Sequence, residues 1–347
     1  MTTASAEGPV AHAPARGNGS DYAILLRRVR DAGLMERRLS YHLVRTAAAV
    51  GVLVAGWGVF FALGASWWQL LTAAFLGAVL PQFAFLGHDA GHRQIYATRR
   101  ANYLYGLLAG NLAIGVSIGW WTSNHNRHHA HPNTEGADPD ITGVLVHSEE
   151  RARAERTFRR WIFRYQGWLF FPLVCLEAFS LHNKSIRAVV RGEIPHRLAE
   201  GLLLFAHLGG LVVLAFAVLT PGQAVAFLAV HQAAFGFYMG CVFAPNHKGM
   251  AVFSAGDTVD YLRRQVLTSR TVRGGWVLDA AMGGLNYQIE HHLFPSMPRA
   301  NLRRAQPMVI EYCAEIGVPY HQVGLFDSYR QAVGFLHRIG RFARPRS

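Results

Sequence analysis

Three short strings place histidines at spacings that suit metal ions. "HDAGH" sets His88 and His92 four residues apart, "HNRHH" sets His125, His128 and His129 at i, i+3 and i+4, and "QIEHH" sets Gln288 three and four residues before His291 and His292. On a helix, residues three and four apart share a face, so each of the first two strings turns its imidazoles one way. The adjacent pair His291 and His292 diverges by about 100° on a helix, which suits two neighbouring metals better than chelation of one. The chain has 18 histidines, so chance adjacency competes with this reading until the elements that carry the strings are placed.

Those elements are membrane helices. The chain is 51% hydrophobic and carries a formal charge of +13, a combination rare in soluble proteins. Its apolar residues concentrate in four runs without Asp, Glu, Lys or Arg, at about 48–66, 69–87, 201–219 and 223–244. At about 1.5 Å per residue, a run of roughly 19 residues covers a hydrocarbon core of about 30 Å. The expected fold is an all-α integral membrane protein: four transmembrane helices in two hairpins, capped by a cytoplasmic helical domain with interfacial helices. The turns inside the hairpins carry no Lys or Arg, so all 34 basic residues lie on the other side. The positive-inside rule puts both termini and the central segment in the cytoplasm.

Residues 103–121 are also long and apolar, but a crossing there would export Arg127, Arg151, Arg153, Arg156, Arg159 and Arg160. They are expected to form an interfacial or re-entrant segment with Trp120 and Trp121 at head-group level. Residues 161–179 contain Arg164 and Glu177 and are expected as a second surface-lying helix. Residues 1–20 are small and polar and are expected as a disordered tail rather than a signal peptide. Residues 21–310 then form the membrane domain and 311–347 a basic cytoplasmic segment. Cys175, Cys241 and Cys313 lack CxxC spacing, and no disulfide is expected. The positive face would favour anionic lipid head groups or an acidic protein donor. Nucleic acid is set aside as a partner, because the arginines are scattered beside membrane segments rather than interleaved with aromatics.

In this topology all three strings fall on the cytoplasmic side, as does His247 in "APNHKGM" just after the fourth run. Eight imidazoles, from His88, His92, His125, His128, His129, His247, His291 and His292, thus converge at one interface. A single zinc takes four ligands, so eight argue for two metals. Imidazole suits iron, zinc, copper and nickel alike, and spacing does not choose among them. A neutral ligand set above a bilayer, without a carboxylate pair, fits iron that activates oxygen against an unactivated C–H bond. Soluble di-iron bundles use Glu and Glu-x-x-His instead.

The order HxxxH, HxxHH, QxxHH around four spans resembles the membrane fatty acid desaturase family over roughly residues 45 to 310. "GGLNYQIEHHLFP", with Gln288 where other members have a histidine, is similar to the subgroup of front-end and sphingolipid desaturases and related bacterial enzymes. The resemblance implies that the eight histidines bind two non-haem irons, with His247 the additional ligand after the fourth span. It also implies O2 as co-substrate and a cis double bond placed in a lipid- or CoA-linked acyl chain, in a bacterial-type cell membrane. Gln288 is expected to hydrogen-bond a ligand rather than act as one. No His-Pro-Gly-Gly haem motif occurs, so the resemblance implies a separate electron donor, a ferredoxin or cytochrome b5-type protein with its reductase.

Metal-bound imidazoles usually donate their second N–H to a carboxylate or carbonyl, and Asp138 and Asp140 of "DPD", with Asn124, are expected to supply such partners. Asp89, Glu290 and Asn133 are near enough in sequence to do the same, and His131 is a weaker candidate. His207 and His231, inside spans, are functional candidates as intramembrane ionisable groups or neutral bridges between helices, and are left out of the ligand set. Phe83, Trp120 and Tyr238 are candidates to line an acyl tunnel, with core packing the alternative. Two other functions share some of these features. A di-iron hydroxylase or ketolase of alkyl, sterol or carotenoid substrates uses similar histidine strings, and a membrane metal carrier needs ligands along a path through the bilayer.

Overall fold

The computed structural model describes residues 20–141 and 143–343. The expected tail therefore lies outside the described residues, apart from Ser20, whose hydroxyl accepts from the Ala23 amide and caps α1 (Asp21–Asp31). The first hairpin is α2 (Leu39–Leu63) and α3 (Gln69–Gly91). It leads into α4 (Arg99–Gly106), a π-helical stretch at Leu107–Leu112, and α5 (Ile118–Ala130). Then come α6 (Glu149–Ala154), α7 (Arg159–Val174) and α8 (Glu177–Arg191). The second hairpin is α9 (Arg197–Val218) and α10 (Pro221–His247). Its tight turn carries Pro221 at the first helical position and a capping box between Thr220 and Gln223.

The C-terminal part holds α11 (Tyr261–Leu267), β1 (Thr271–Arg273), α12 (Trp276–Ala281), α13 (Gln288–Leu293), α14 (Arg299–Glu315), β2 (Gln322–Gly324) and α15 (Leu325–Gly340). The two strands pair in parallel, Thr271 opposite Gln322. Among the described residues, four helices are long and apolar enough to cross a membrane: α2, α3, α9 and α10. Each coincides with one expected run, although α2 ends at Leu63 and α9 at Val218, short of the expected ends at 66 and 219. At the charged side α3 continues to Gly91 and α10 to His247, beyond the apolar windows. These extensions are what carry histidines out of the hydrocarbon.

α3 and α10 form the inner pair, while α2 and α9 turn Val44, Val54, Leu202 and Val213 outward, as lipid-facing helices do. Lipid tails are as apolar as leucine, so such helices associate through close packing at small residues. A Cβ on Gly77 would lie 2.4 Å from the backbone oxygen of His231, and one on Gly236 would lie 2.6 Å from that of Cys175. Glycine is what lets the backbones of α3 and α10, and of α10 and the α7–α8 junction, approach this closely.

Residues 103–121 do not form a crossing helix. The chain turns at Gly115, which has φ of +65°, and restarts α5 at Ser117, whose hydroxyl accepts from the Trp120 amide. The buried Glu200 of α9 holds this turn: its carboxylate accepts from the hydroxyls of Tyr103 and Ser117 and from the amide of Gly119. Two expectations need correction. Residues 161–179 are not one helix, because α7 ends at Val174, two residues after Pro172 removes an amide donor, and α8 begins at Glu177. The boundary expected at residue 310 falls inside α14, because Tyr312 and Cys313 share one apolar core with Leu25, Leu262, Leu293 and Leu302. α15 likewise packs Leu336 and Ile339 against Phe163 and Phe170 of α7.

The C-terminal part is tied to α3 by a buried ion pair, Arg299 Nε to Asp89 Oδ2 at 2.9 Å, with both side chains at most 3% exposed. Arg299→Met leaves Asp89 buried without its cation and is expected to destabilise the fold by about 3–5 kcal/mol. Gly77→Leu forces α3 from α10 and should cost about 1–3 kcal/mol. Gly58→Leu, where no neighbour lies within 4 Å, should leave stability unchanged. Thermal unfolding of the purified variants in detergent measures all three.

Candidate metal centre

Four elements deliver histidines to one place. α3 brings His88 in its last turn and His92 as its cap, α5 brings His125, His128 and His129, α10 ends on His247, and α13 brings His291 and His292. All six residues of α13 are buried, so this short helix is an interior element rather than a surface turn.

The ring nitrogens sort into two groups. One ring nitrogen from each of His88, His92, His125 and His291 lies within 4.8 Å of the others, and the same holds for His128, His247 and His292. The adjacent pair on α13 thus divides between the groups, as the 100° helical step requires. His129 stands between them: its Nε2 is 3.1 Å from His125 Nε2, and its ring stacks on that of His292 with centroids 4.2 Å apart. A further group joins His128 to Asp138 and Asp140.

Burial governs the electrostatics. Desolvation holds the imidazoles of His92, His125, His129, His291 and His292 well below the usual histidine range, and their mutual repulsion as cations adds to it. They are neutral near pH 7, the state that offers a lone pair. His128 is shifted upward instead: burial lowers it, but the carboxylates of Asp140 and Asp138 outweigh burial. Several buried nitrogens have no hydrogen-bond partner, namely Nε2 of His88, His92 and His292, Nδ1 of His129 and both nitrogens of His291. Each unpartnered buried polar atom costs about 1–3 kcal/mol, so their concentration here calls for a ligand.

Outer partners hold several rings. His128 Nδ1 donates to Asp138 at 3.0 Å, and Asp138 also accepts the amides of Asn133 at 2.7 Å and Asp140 at 2.9 Å. Asn124 donates to Asp140 at 3.1 Å. His247 Nδ1 donates to the Thr268 carbonyl at 2.9 Å, and its Nε2 faces the Gln288 amide nitrogen at 2.9 Å. Asn246 orients that amide by donating to Gln288 Oε1 at 3.2 Å. His292 Nδ1 is 2.9 Å from Gln265 Oε1. Asn133, with φ of +49°, donates from its side chain to the carbonyls of His247 and Ala251 and so joins the end of α5 to the end of α10. Glu290 lies in the same helix as the histidines but faces away. It accepts from Tyr320 at 2.6 Å and Thr271 at 3.1 Å, and burial pushes it up to about 7.

Gln265, Thr268, Asn246, Arg299 and His42 were not legible as participants. His42 Nδ1 lies 3.3 Å from Asp89 beside Arg299, fully inside the protein. None has a spacing relation to a histidine string, and only the fold brings them near. His131 is exposed, and His207 and His231 lie apart from the cluster, His207 bonded to the Leu112 carbonyl.

A narrow apolar cavity of about 40 Å³ reaches His88 from between the membrane helices. Phe85, Ile114, Val116, Trp121, Leu181 and Met239 line it. The residues expected to line a tunnel do not. Phe83 and Trp120 sit in the packed core around the cavity, and Tyr238 points its hydroxyl to the Ala281 carbonyl. The helical phase explains the miss, since Phe85 and Trp121 occupy the facing positions next to Phe83 and Trp120.

Comparison with known proteins gives the same direction. The family model described as fatty acid desaturase matches residues 65–324. The chain is 30% identical, over 93% of its length, to a Delta 8-(E)-sphingolipid desaturase of Emericella nidulans, covering 62% of that protein. It is 30% identical, over 89% of its length, to a Delta(8)-fatty-acid desaturase of Helianthus annuus, covering 70% of it. It is 33% identical, over 74% of its length, to an acyl-lipid (9-3)-desaturase of Physcomitrium patens, covering 50% of it. With this match spanning α3, the second hairpin and all three histidine strings, the chain belongs to the fatty acid desaturase family.

Proposed function

We propose that this chain is an oxygen-dependent acyl desaturase in which His88, His92, His125, His128, His129, His247, His291 and His292 hold two non-haem irons. One observation carries the reading: two groups of buried imidazoles, divided between His291 and His292 and holding several unpartnered ring nitrogens, stand at the head of an apolar cavity among membrane helices. The donor set fits iron, because it offers buried ring nitrogens, most of which desolvation keeps in the neutral form that can ligate.

When bound, the iron pair supplies the reduction of O2 and the removal of hydrogen from unactivated C–H bonds. The balance is fixed by the reaction: two adjacent methylenes lose two hydrogens, a donor adds two electrons and solvent two protons, and O2 leaves as two waters. The protein's own part is position and exclusion of water. Phe85, Ile114, Val116 and Met239 accept a saturated chain and align its carbons under His88. Trp121, whose ring lies 5.3 Å from that of His88, closes the cavity against the histidines. Asp138, Thr268 and Gln265 hold ring nitrogens in place.

The substrate is an acyl chain on a lipid or on CoA, a reading supported by relatives named for sphingolipid, fatty-acid and acyl-lipid desaturation. Electrons come from a separate ferredoxin or cytochrome b5-type protein with its reductase. The histidine face is cytoplasmic in a bacterial-type cell membrane, supported by hairpin turns that lack Lys and Arg.

Expression in a desaturase-deficient host, with double bonds located by gas chromatography and mass spectrometry, should give a new cis alkene. A hydroxylated chain would replace this reading with a hydroxylase, and unchanged lipids under adequate donor supply would refute it. His292→Ala should remove turnover and bound iron while membrane insertion persists, and normal product from that variant would defeat the assignment. Asp138→Ala should reduce iron affinity by about 10–100-fold, read by titration of the metal-free protein.

A further inference from the structure

The two groups of imidazoles differ in how their rings are held. In the group of His128, His247 and His292, every Nδ1 faces an acceptor: the Asp138 carboxylate, the Thr268 carbonyl and the Gln265 side chain. A carboxylate and a carbonyl only accept, so Nδ1 of His128 and of His247 carries the hydrogen and Nε2 keeps the lone pair.

An amide can present either end, and the orientation of Gln265 is decided by its other contact. Its Nε2 lies 3.0 Å from the backbone oxygen of His129, an atom that only accepts. Turning the amide over would press two oxygens together there. Oε1 therefore faces His292 Nδ1, the hydrogen sits on Nδ1, and Nε2 of His292 is left with its lone pair and no partner. Gln265 is fully buried, so water does not compete for either bond. It stands on α11 and touches both α5 and α13, two of the helices that carry the histidines.

The other group has no comparable support. His88 Nδ1 is 3.7 Å from Asp89, outside hydrogen-bond reach, and both nitrogens of His291 are unpartnered. His125 Nε2 is turned toward His129 Nε2. These rings must choose a tautomer and an angle when a metal arrives, whereas the first group has both already set.

We infer that Gln265 is a positioning residue, which holds His292 with its Nε2 lone pair free and makes the position of His128, His247 and His292 the tighter of two unequal metal positions. This rests on the two-iron reading above. The asymmetry is a property of the hydrogen bonds around the rings and is independent of substrate.

The test uses the purified full-length protein, loaded anaerobically with ferrous iron and then challenged with an excess of a ferrous chelator, with release followed by absorbance and residual iron by mass spectrometry. The wild type should release about one equivalent quickly and one slowly. Gln265→Met keeps the volume but removes the acceptor, and its slow release should accelerate by about 10–100-fold. Gln265→Glu keeps an acceptor toward His292 and, in the neutral carboxyl form that full burial favours, a donor toward the His129 carbonyl, and should recover most of the slow phase, which a mere packing role would not produce. Thermal unfolding of the metal-free variants separates lost metal from lost fold; should Gln265→Met not fold, the slow phase of Gln265→Glu decides alone. Equal release of both irons from the wild type, an unchanged slow phase in Gln265→Met, or a fast one in a folded Gln265→Glu would overturn the inference. A wild type that binds one iron or none would instead overturn the two-iron reading and the inference with it.

Discussion

Eight imidazoles buried in one place form the constraint on which the rest of this structure depends. Buried ring nitrogens without partners oppose folding, and charge on any of them would oppose it more. The protein tolerates the cluster by keeping most of the rings neutral through desolvation, by stacking them on one another and on Trp121, and by giving part of the set firm outer hydrogen bonds. The unpartnered remainder is concentrated where two groups of nitrogens converge. That is the arrangement expected of a protein whose fold is completed by metal.

The membrane helices make such a cluster possible. α3 and α10 approach closely through Gly77 and, on the side of the histidines, end on His88, His92 and His247. The segment between the hairpins does not cross but is pinned by Glu200, and this fixes the start of α5 and hence the direction of its three histidines. The C-terminal part then closes the site, with α13 wholly buried and Arg299 paired to Asp89 beside His88. An apolar cavity between the same helices reaches His88, so the cavity and the imidazole cluster share one wall.

Much of this was legible beforehand because its signals are local. Uncharged runs of membrane length report helices without reference to any partner, and histidines three or four residues apart report a shared face. The divergence of His291 and His292 follows from helical geometry alone, and the structure divides them between two groups accordingly. Asp138 was visible because it lies ten residues from His128 on a connected turn. The misreadings were also local in origin. The break after Pro172 was passed over inside an apolar stretch, and the division at 310 was drawn from charge without knowledge that Tyr312 and Cys313 are buried.

The sequence by itself determined the number of spans, the side on which basic residues collect and the identity of the clustered histidines, since each depends on spacing along the chain or on transfer of side chains out of water. Only the tertiary structure decided which nitrogen each ring presents. Gln265 and Thr268 reach the histidines, and Asn246 reaches Gln288, across long stretches of chain, and a hydrogen bond depends on distance and direction in space. No periodicity encodes that a glutamine on α11 will meet a carbonyl of α5 and a ring of α13 at once. That contact exists because the helices are packed, and the packing of all of them together is the information that a linear string leaves out.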